Sequence, residues 1–281
     1  MQNATTTTRR VPSDVQQLGV VTRYEIFRHL RSNRMIGLVG IIVLLVVMIM
    51  VLPPALGNSY PTDPAAFGAN FTGIATLLIV IAATLFAGDA IVAEFQQRTG
   101  YLLFPNPVKR ATLFFGKWMA ALLVTFTVLG LFYAVAAILG FAITGGGSVL
   151  LFYSFLLSLL YATATISVAF LISSLMKGGT GALILVFALL FMIMPMVTGI
   201  MGITSVKPNF ILTFEGDTIS NVMETPYPVD NVTQFQVPVG GNMTLYNYYA
   251  SISDGVLGMA AYTGVSLVAG VVLFKRRELA A

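Results

Sequence analysis

The hydrophobic positions of this chain fall in long unbroken runs rather than in the short pulses of a water-soluble fold. Six runs contain no charged residue: Met35 to Leu52, Phe71 to Gly88, Trp118 to Thr144, Val149 to Met176, Gly178 to Ser205 and Gly255 to Phe274. A helix needs about 20 apolar residues to cross a hydrocarbon core about 30 Å thick, so each run predicts one membrane-spanning helix. Pro53-Pro54, Asp89, the string Gly145-Gly146-Gly147 and Lys177 close the first four runs. The third to fifth exceed the membrane thickness, which predicts tilt, kinks or extension into the interface. Pro195 predicts a kink in the fifth, because proline removes a backbone hydrogen bond.

Between the runs the periodicity changes. Over residues 18–34 the apolar Val20, Tyr24, Phe27 and Leu30 recur at steps of three and four while Arg23, Arg28 and Arg31 project elsewhere, the pattern of an amphipathic helix lying in the membrane surface. His29, the only histidine, reads as part of its polar face. Residues 1–17 read as a flexible N-terminal stretch with no apolar core of a signal peptide, and 276–281 as a short tail. Residues 53–70 read as a Pro/Gly/Asn-rich loop. In 204–254, "NFILTF" and "TQFQVPV" alternate apolar with polar at the period of short strands, which predicts a small ordered cap.

Composition agrees with the pattern. Hydrophobic residues make up 57% of the chain and charged residues 9%, against about 25% charged in a soluble domain; the mean hydropathy is +0.88. The expected class is an all-α integral membrane protein with six transmembrane helices. Basic residues in short loops are retained in the cytoplasm, and placing both termini there puts fourteen of the fifteen on that side, Lys207 excepted. The cytoplasmic side then carries a net +9 and the outside −5. Positive charge spread over several short loops forms no nucleic-acid stripe. Asn70, Asn231 and Asn242 open N-x-Thr glycosylation sequons on the outer side of this topology.

Catalytic patterns are missing. Gly116-Lys117 is followed by Trp118 rather than Ser or Thr, so no phosphate-binding loop is present, and HExxH and GxSxG are absent. With one histidine and no cysteine, no metal cluster or thiolate site is expected. The six runs hold no ionisable group of the kind that ion-coupled carriers keep at membrane depth, which points to an energy source outside the chain.

The longest loop on the basic side, residues 89–117, contains "DAIVAEFQQRTGYLLFPNPVKR". Asp89 near the start and Arg98 near the end suit a helix dipole, Gly100 suits a helix stop, and Pro105 and Pro107 interrupt the residues beyond that stop. Asp89, Glu94, Gly100, Leu102-Leu103, Pro107-Val108-Lys109-Arg110 and Gly116-Lys117 together resemble the loop between spans two and three in permease subunits of ABC-2 type exporters, with Thr99-Gly100 reversing the usual Gly-Thr. The arm ending "LRSNR" and the C-terminal "FKRRELA" resemble that family's ends. The resemblance implies that residues 18–34 form an elbow helix, with Tyr24, Phe27, Arg28 and Arg31 at the membrane surface. It implies that 89–117 is a coupling loop whose Glu94, Gln97, Arg98, Thr99, Gly100, Tyr101, Pro107 and Arg110 contact an ATPase. It further implies a homodimer, or a pair with a related permease, meeting through spans one and five, bound in the cell membrane to two ATPase subunits that hold ATP and Mg.

The function expected from the sequence is ATP-driven export of an apolar or amphipathic substrate. Phe126, Phe132, Tyr133, Phe152, Tyr153, Phe187, Phe191 and Met192 are candidates for a greasy pathway, with packing as the plainer reading. The alternatives are mechanical transmission through the 204–254 cap, a six-span structural or sensory protein without an ATPase, and an intramembrane hydrolase.

Overall fold

The computed structural model describes residues 13–96, 109–237 and 241–276. Helix α1 (Asp14–Leu30) starts four residues before the expected elbow boundary because Ser13 and Gln16 form a reciprocal capping box. Ser32 then caps α2 (Asn33–Ala55), whose last turn contains Pro53 and Pro54 instead of stopping before them. Pro54 cannot bond the Met50 carbonyl, and the Tyr60 hydroxyl donates to that oxygen instead. Helix α3 (Pro64–Ala87) begins inside the segment read as a loop, with Asp63 as N-cap and Pro64 in the first turn. Asn70 therefore sits on a helix and donates to Ala66 O and Phe67 O.

The short helix α4 (Val92–Gln96) follows, then α5 (Arg110–Thr144), which at 35 residues spans about 52 Å and ends on Gly145 in the left-handed region, φ 74°. Helix α6 (Val149–Leu175) lies at the centre against α3, α5 and the last helix. Its Ala162, Ala164, Ala169, Ser154, Ser158, Thr165, Ser167 and Ser173 have no exposed surface, and such small side chains let membrane helices approach closely. Helix α7 (Gly179–Met201) departs from α-geometry through a π-helical stretch at Ala188–Ile193, directly before Pro195, so the predicted irregularity is a widened turn.

Beyond α7, "NFILTF" does not pair as a strand. It contributes to helix α8 (Leu212–Gly216), and α9 (Thr218–Asn221) follows. Leu212, Phe214 and Ile219 are buried there, with α8 packed on α6, α7 and the last helix and α9 on α3 and α6. A short apolar run fits strand and helix alike until its neighbours decide. The strands are β1 (Asn231–Val237) and β2 (Gly241–Asn247), an antiparallel hairpin in which Asn231 faces Asn247. Tyr246 N–H donates to Gly202 O, which holds the hairpin against the end of α7. Helix α10 (Ile252–Arg276) completes six helices, among the described residues, long and apolar enough to cross a membrane.

The six differ sharply in burial. Over their most apolar 18-residue stretches, about two-thirds of the residues in α3 and α6 are buried, against 6% in α2 and 11% in α7. The core is therefore α3, α5 and α6, with α2 and α7 presenting nearly whole faces outward.

Helix α1 docks along α5 where Gly116 leaves room: a Cβ there would stand 2.6 Å from Val21 Cγ1 and 2.9 Å from Val21 Cβ. Gly116→Val is expected to overpack this contact and cost about 1–3 kcal/mol. Gly130→Ala, facing open space on the same helix, is expected to be near neutral. Thermal denaturation of the two detergent-solubilised variants compares them directly.

Candidate functional site

At the end of the bundle that carries α1 and the end of α10, the chain leaves α3 and runs through Asp89 to Gln96. Six of its eight residues are fastened to other helices. Asp89 accepts two bonds from Arg34 at the start of α2, at 2.8 and 2.6 Å, a bidentate pair that also fixes guanidinium orientation. The same guanidinium donates to Leu85 O at 2.8 Å. The Ile91 and Val92 N–H groups, at the start of α4, donate to Ser173 Oγ of α6 at 3.0 and 3.2 Å. Phe95 meets Phe274 of α10 edge-on at 6.0 Å, and Gln96 Oε1 accepts from Gly179 N at the start of α7 at 2.9 Å.

The remaining attachment is ionic. Lys117, on α5 and 2% exposed, places Nζ 2.6 Å from Glu94 Oε1 and 2.6 Å from Glu25 Oε1 of α1. Arg28, one turn on from Glu25, lies 3.2 Å from that carboxylate and 3.9 Å from Glu94. Two acids and two bases balance in a space where Glu25 and Glu94 are 4% and 6% exposed. Removing one member of such a buried group leaves a charge without compensation, which costs far more than an exposed pair contributes.

This arrangement differs from the sequence reading in three places. The sequence places Glu94 at the surface of the loop; its carboxylate instead points inward and joins three elements. The third membrane helix begins at Arg110 rather than near Trp118, so Lys117 lies on the helix itself and not in a loop before it. His29 is not on a polar face: it is 6% exposed and packs edge-on against Phe86 at 5.2 Å. Burial is the main cause that lowers its pKa from 6.5 to about 4, with Arg28, Lys117 and Arg34 adding to it and Glu25 opposing. The imidazole is neutral at neutral pH. The stability that depends on its neutrality is present above 6.5 and lost as pH falls toward 4.

The other predicted residues divide. Arg110 donates to Lys275 O at 3.0 Å and so ties the start of α5 to the end of α10. Tyr24 and Phe27 are 69% and 46% exposed on the outer face of α1, and the guanidinium groups of Arg23 and Arg31 each lie 5.8 Å from the Phe27 ring centroid. Gln97, Arg98, Thr99, Gly100, Tyr101 and Pro107 lie outside the described residues, as does Pro105. At the opposite end, Asn231 Oδ1 accepts from Asn247 in the exposed hairpin, and Asn242 lies in β2. Of the aromatic candidates for a pathway, Phe132 and Tyr133 are core residues, with the Tyr133 hydroxyl bonded to Ser154 and Ser158. Phe152, Tyr153, Phe191 and Met192 are exposed on the outer surface of the bundle. Among the described residues no cluster of three or more His, Asp or Glu has a metal-binding arrangement.

Residues 20–279 match the family model described as ABC-2 family transporter protein. No curated protein matches the chain.

If the ionic group is an interlock, its members act as a unit. Lys117→Met is expected to destabilise the purified protein by about 3–5 kcal/mol, and Glu25→Gln in the same chain to recover part of that loss. A double-mutant cycle on melting temperatures tests this, and purely additive losses would show that the charges do not interact.

Proposed function

The chain belongs to the ABC-2 transporter family, and on that premise we propose that it is the membrane-spanning permease of an ATP-driven exporter in the cell membrane. Membership makes it a multi-pass component of ABC transport that associates with an ABC ATPase and is not itself the catalyst. The proposal adds direction, partner arrangement and mechanism. Two copies of the chain, meeting through the open faces of α2 and α7, bind two ATPase subunits in which ATP and Mg reside. The cargo is apolar or amphipathic.

One observation carries the reading. The segment Asp89–Gln96 continues α3 and is bonded or packed to α2, α5, α6, α7 and α10, and through Glu94 and Lys117 to α1. A displacement imposed on this segment is transmitted to every membrane helix at once, because buried ion pairs and packed rings resist independent movement. In this scheme the ATPase touches the residues that come after α4, namely Gln97, Arg98, Thr99, Gly100, Tyr101 and Pro107. Glu94 is a positioning residue that passes the push to α1 and α5. The arm α1 lies at the lipid surface through Tyr24 and Phe27, with Arg23 and Arg31 at headgroup level.

The test is isolation of the tagged full-length chain from its native membrane, followed by assay of the complex. An ATP-hydrolysing subunit is expected to copurify. Arg98→Ala with Tyr101→Ala is expected to weaken its retention at least about tenfold without changing the melting temperature of the permease, since about 1.4 kcal/mol of lost contact energy has that effect. Glu94→Gln is expected to do the reverse, retaining the ATPase while lowering stability and uncoupling hydrolysis from transport. A chain that isolates alone and lacks ATP-dependent transport would overturn the reading.

A further inference from the structure

The strongest unexplained group lies at the opposite end of the bundle. Glu215 on α8 has no exposed surface, and among the described residues neither of its carboxylate oxygens has a hydrogen-bond partner. A buried carboxylate without partners is costly in its ionised form and tolerable in its neutral one.

Its surroundings are built closely. A Cβ on Gly258 of α10 would stand 3.0 Å from Glu215 Cγ and 3.1 Å from Cδ, so the side chain rests directly on the α10 backbone. On either side, Gly255 admits the Thr218 side chain and Gly216 admits the Tyr161 ring, where a Cβ would meet Tyr161 Cε2 at 2.7 Å. Thr218 Oγ1 also donates to the Glu215 backbone oxygen at 2.8 Å. The carboxyl group is therefore clamped where α8 and α9 close over α6 and α10.

We propose that Glu215 is a proton-binding site that locks this end of the bundle: neutral while α8 is packed on α10, and ionised, with its proton released to water, when the two part. The charged and titratable groups around it agree with this assignment. Asp254 at the start of α10 and Asp217 just after α8 are acids, Tyr161 and Tyr262 approach from α6 and α10, Tyr227 approaches from the segment after α9, and α7 contributes no titratable group to this contact. Lys207, the one base at this end, is bound to Asp230 at 2.9 Å. Burial first and Asp254 second raise the Glu215 pKa from 4.5 to about 7, with Lys207 opposing.

Linkage to protons therefore has a definite sign. The packed state holds a proton that the parted state, with an ordinary carboxyl group, releases above 4.5. Packing is favoured most below pH 4.5 and loses ground as pH rises to about 7, at most about tenfold per pH unit, with no further change above. A separation of the lock would thus respond to the pH on this side of the membrane. The assignment rests on packing within the chain and is independent of the ATPase reading.

The chain has no cysteine, so a single introduced thiol reports on opening. In the full-length protein held in lipid nanodiscs, Thr218→Cys, buried in the packed state, is labelled with a maleimide between about pH 5.5 and 8, the range that brackets the shifted titration. Rates are normalised to Asn58→Cys, an exposed position, to remove the intrinsic thiol titration. The expected normalised rate rises at least about fivefold from pH 5.5 to 7 and levels off, and Glu215→Gln abolishes the rise. A flat profile in the parent, or an equal rise with Glu215→Gln, overturns the proposal. If Glu215→Gln is labelled rapidly at every pH because the packing has failed, Asp254→Asn decides: a midpoint shifted to lower pH upholds the assignment, and an unmoved one overturns it.

Discussion

The buried ammonium of Lys117, shared between Glu25 and Glu94, is the constraint on which the organisation of this membrane domain depends. A lysine 2% exposed between two carboxylates at 2.6 Å is stable only while all three elements stay in register. The surface helix α1 cannot drift from α5, and α4 cannot swing from either. The neighbouring attachments, Arg34 on Asp89, Ser173 under the start of α4 and Gln96 on α7, extend the same restraint to the remaining helices.

The two ends of the bundle handle buried acid differently. At the α1 end every buried carboxylate among the described residues has a base within reach, and the lone histidine is kept neutral chiefly by its burial. At the hairpin end Glu215 has no such base, since Lys207 is engaged with Asp230. Paired charges suit a joint that must carry force without coming apart. An unpaired carboxyl group suits a contact that has to open, because ionisation in water recovers the solvation that packing withholds. The largely exposed helices α2 and α7 lie outside both joints and leave their faces to lipid or to a second copy.

Much of the plan is legible in the linear pattern. Six uncharged runs of 18 residues or more admit few readings other than membrane helices, and all six are present. The prolines are legible as irregularities but not in kind: Pro53 and Pro54 lie within the last turn of α2, where Tyr60 serves the carbonyl that Pro54 frees, and Pro195 lies just past a π-helical turn. "NFILTF" reads as a strand and folds as a helix because a six-residue alternation carries too little periodic information, and packing on α6 and α10 settles its form. The motif around Glu94 reads that residue as facing outward, whereas the fold turns it inward onto Lys117, since sequence spacing cannot say which way a carboxylate points.

What the sequence determined by itself is what depends on local composition: the number and approximate place of the spans, the amphipathic arm, and the concentration of basic residues in particular loops. Water and hydrocarbon act on each segment separately, so those features need no knowledge of neighbours. Only the tertiary structure decided the fate of individual polar groups. Glu94 meets Lys117 across 23 residues and Glu25 meets it across 92, while Glu215 has no base within hydrogen-bond reach among the described residues. The energy of a buried charge is set by what stands within a few ångströms of it, and that is a property of the fold.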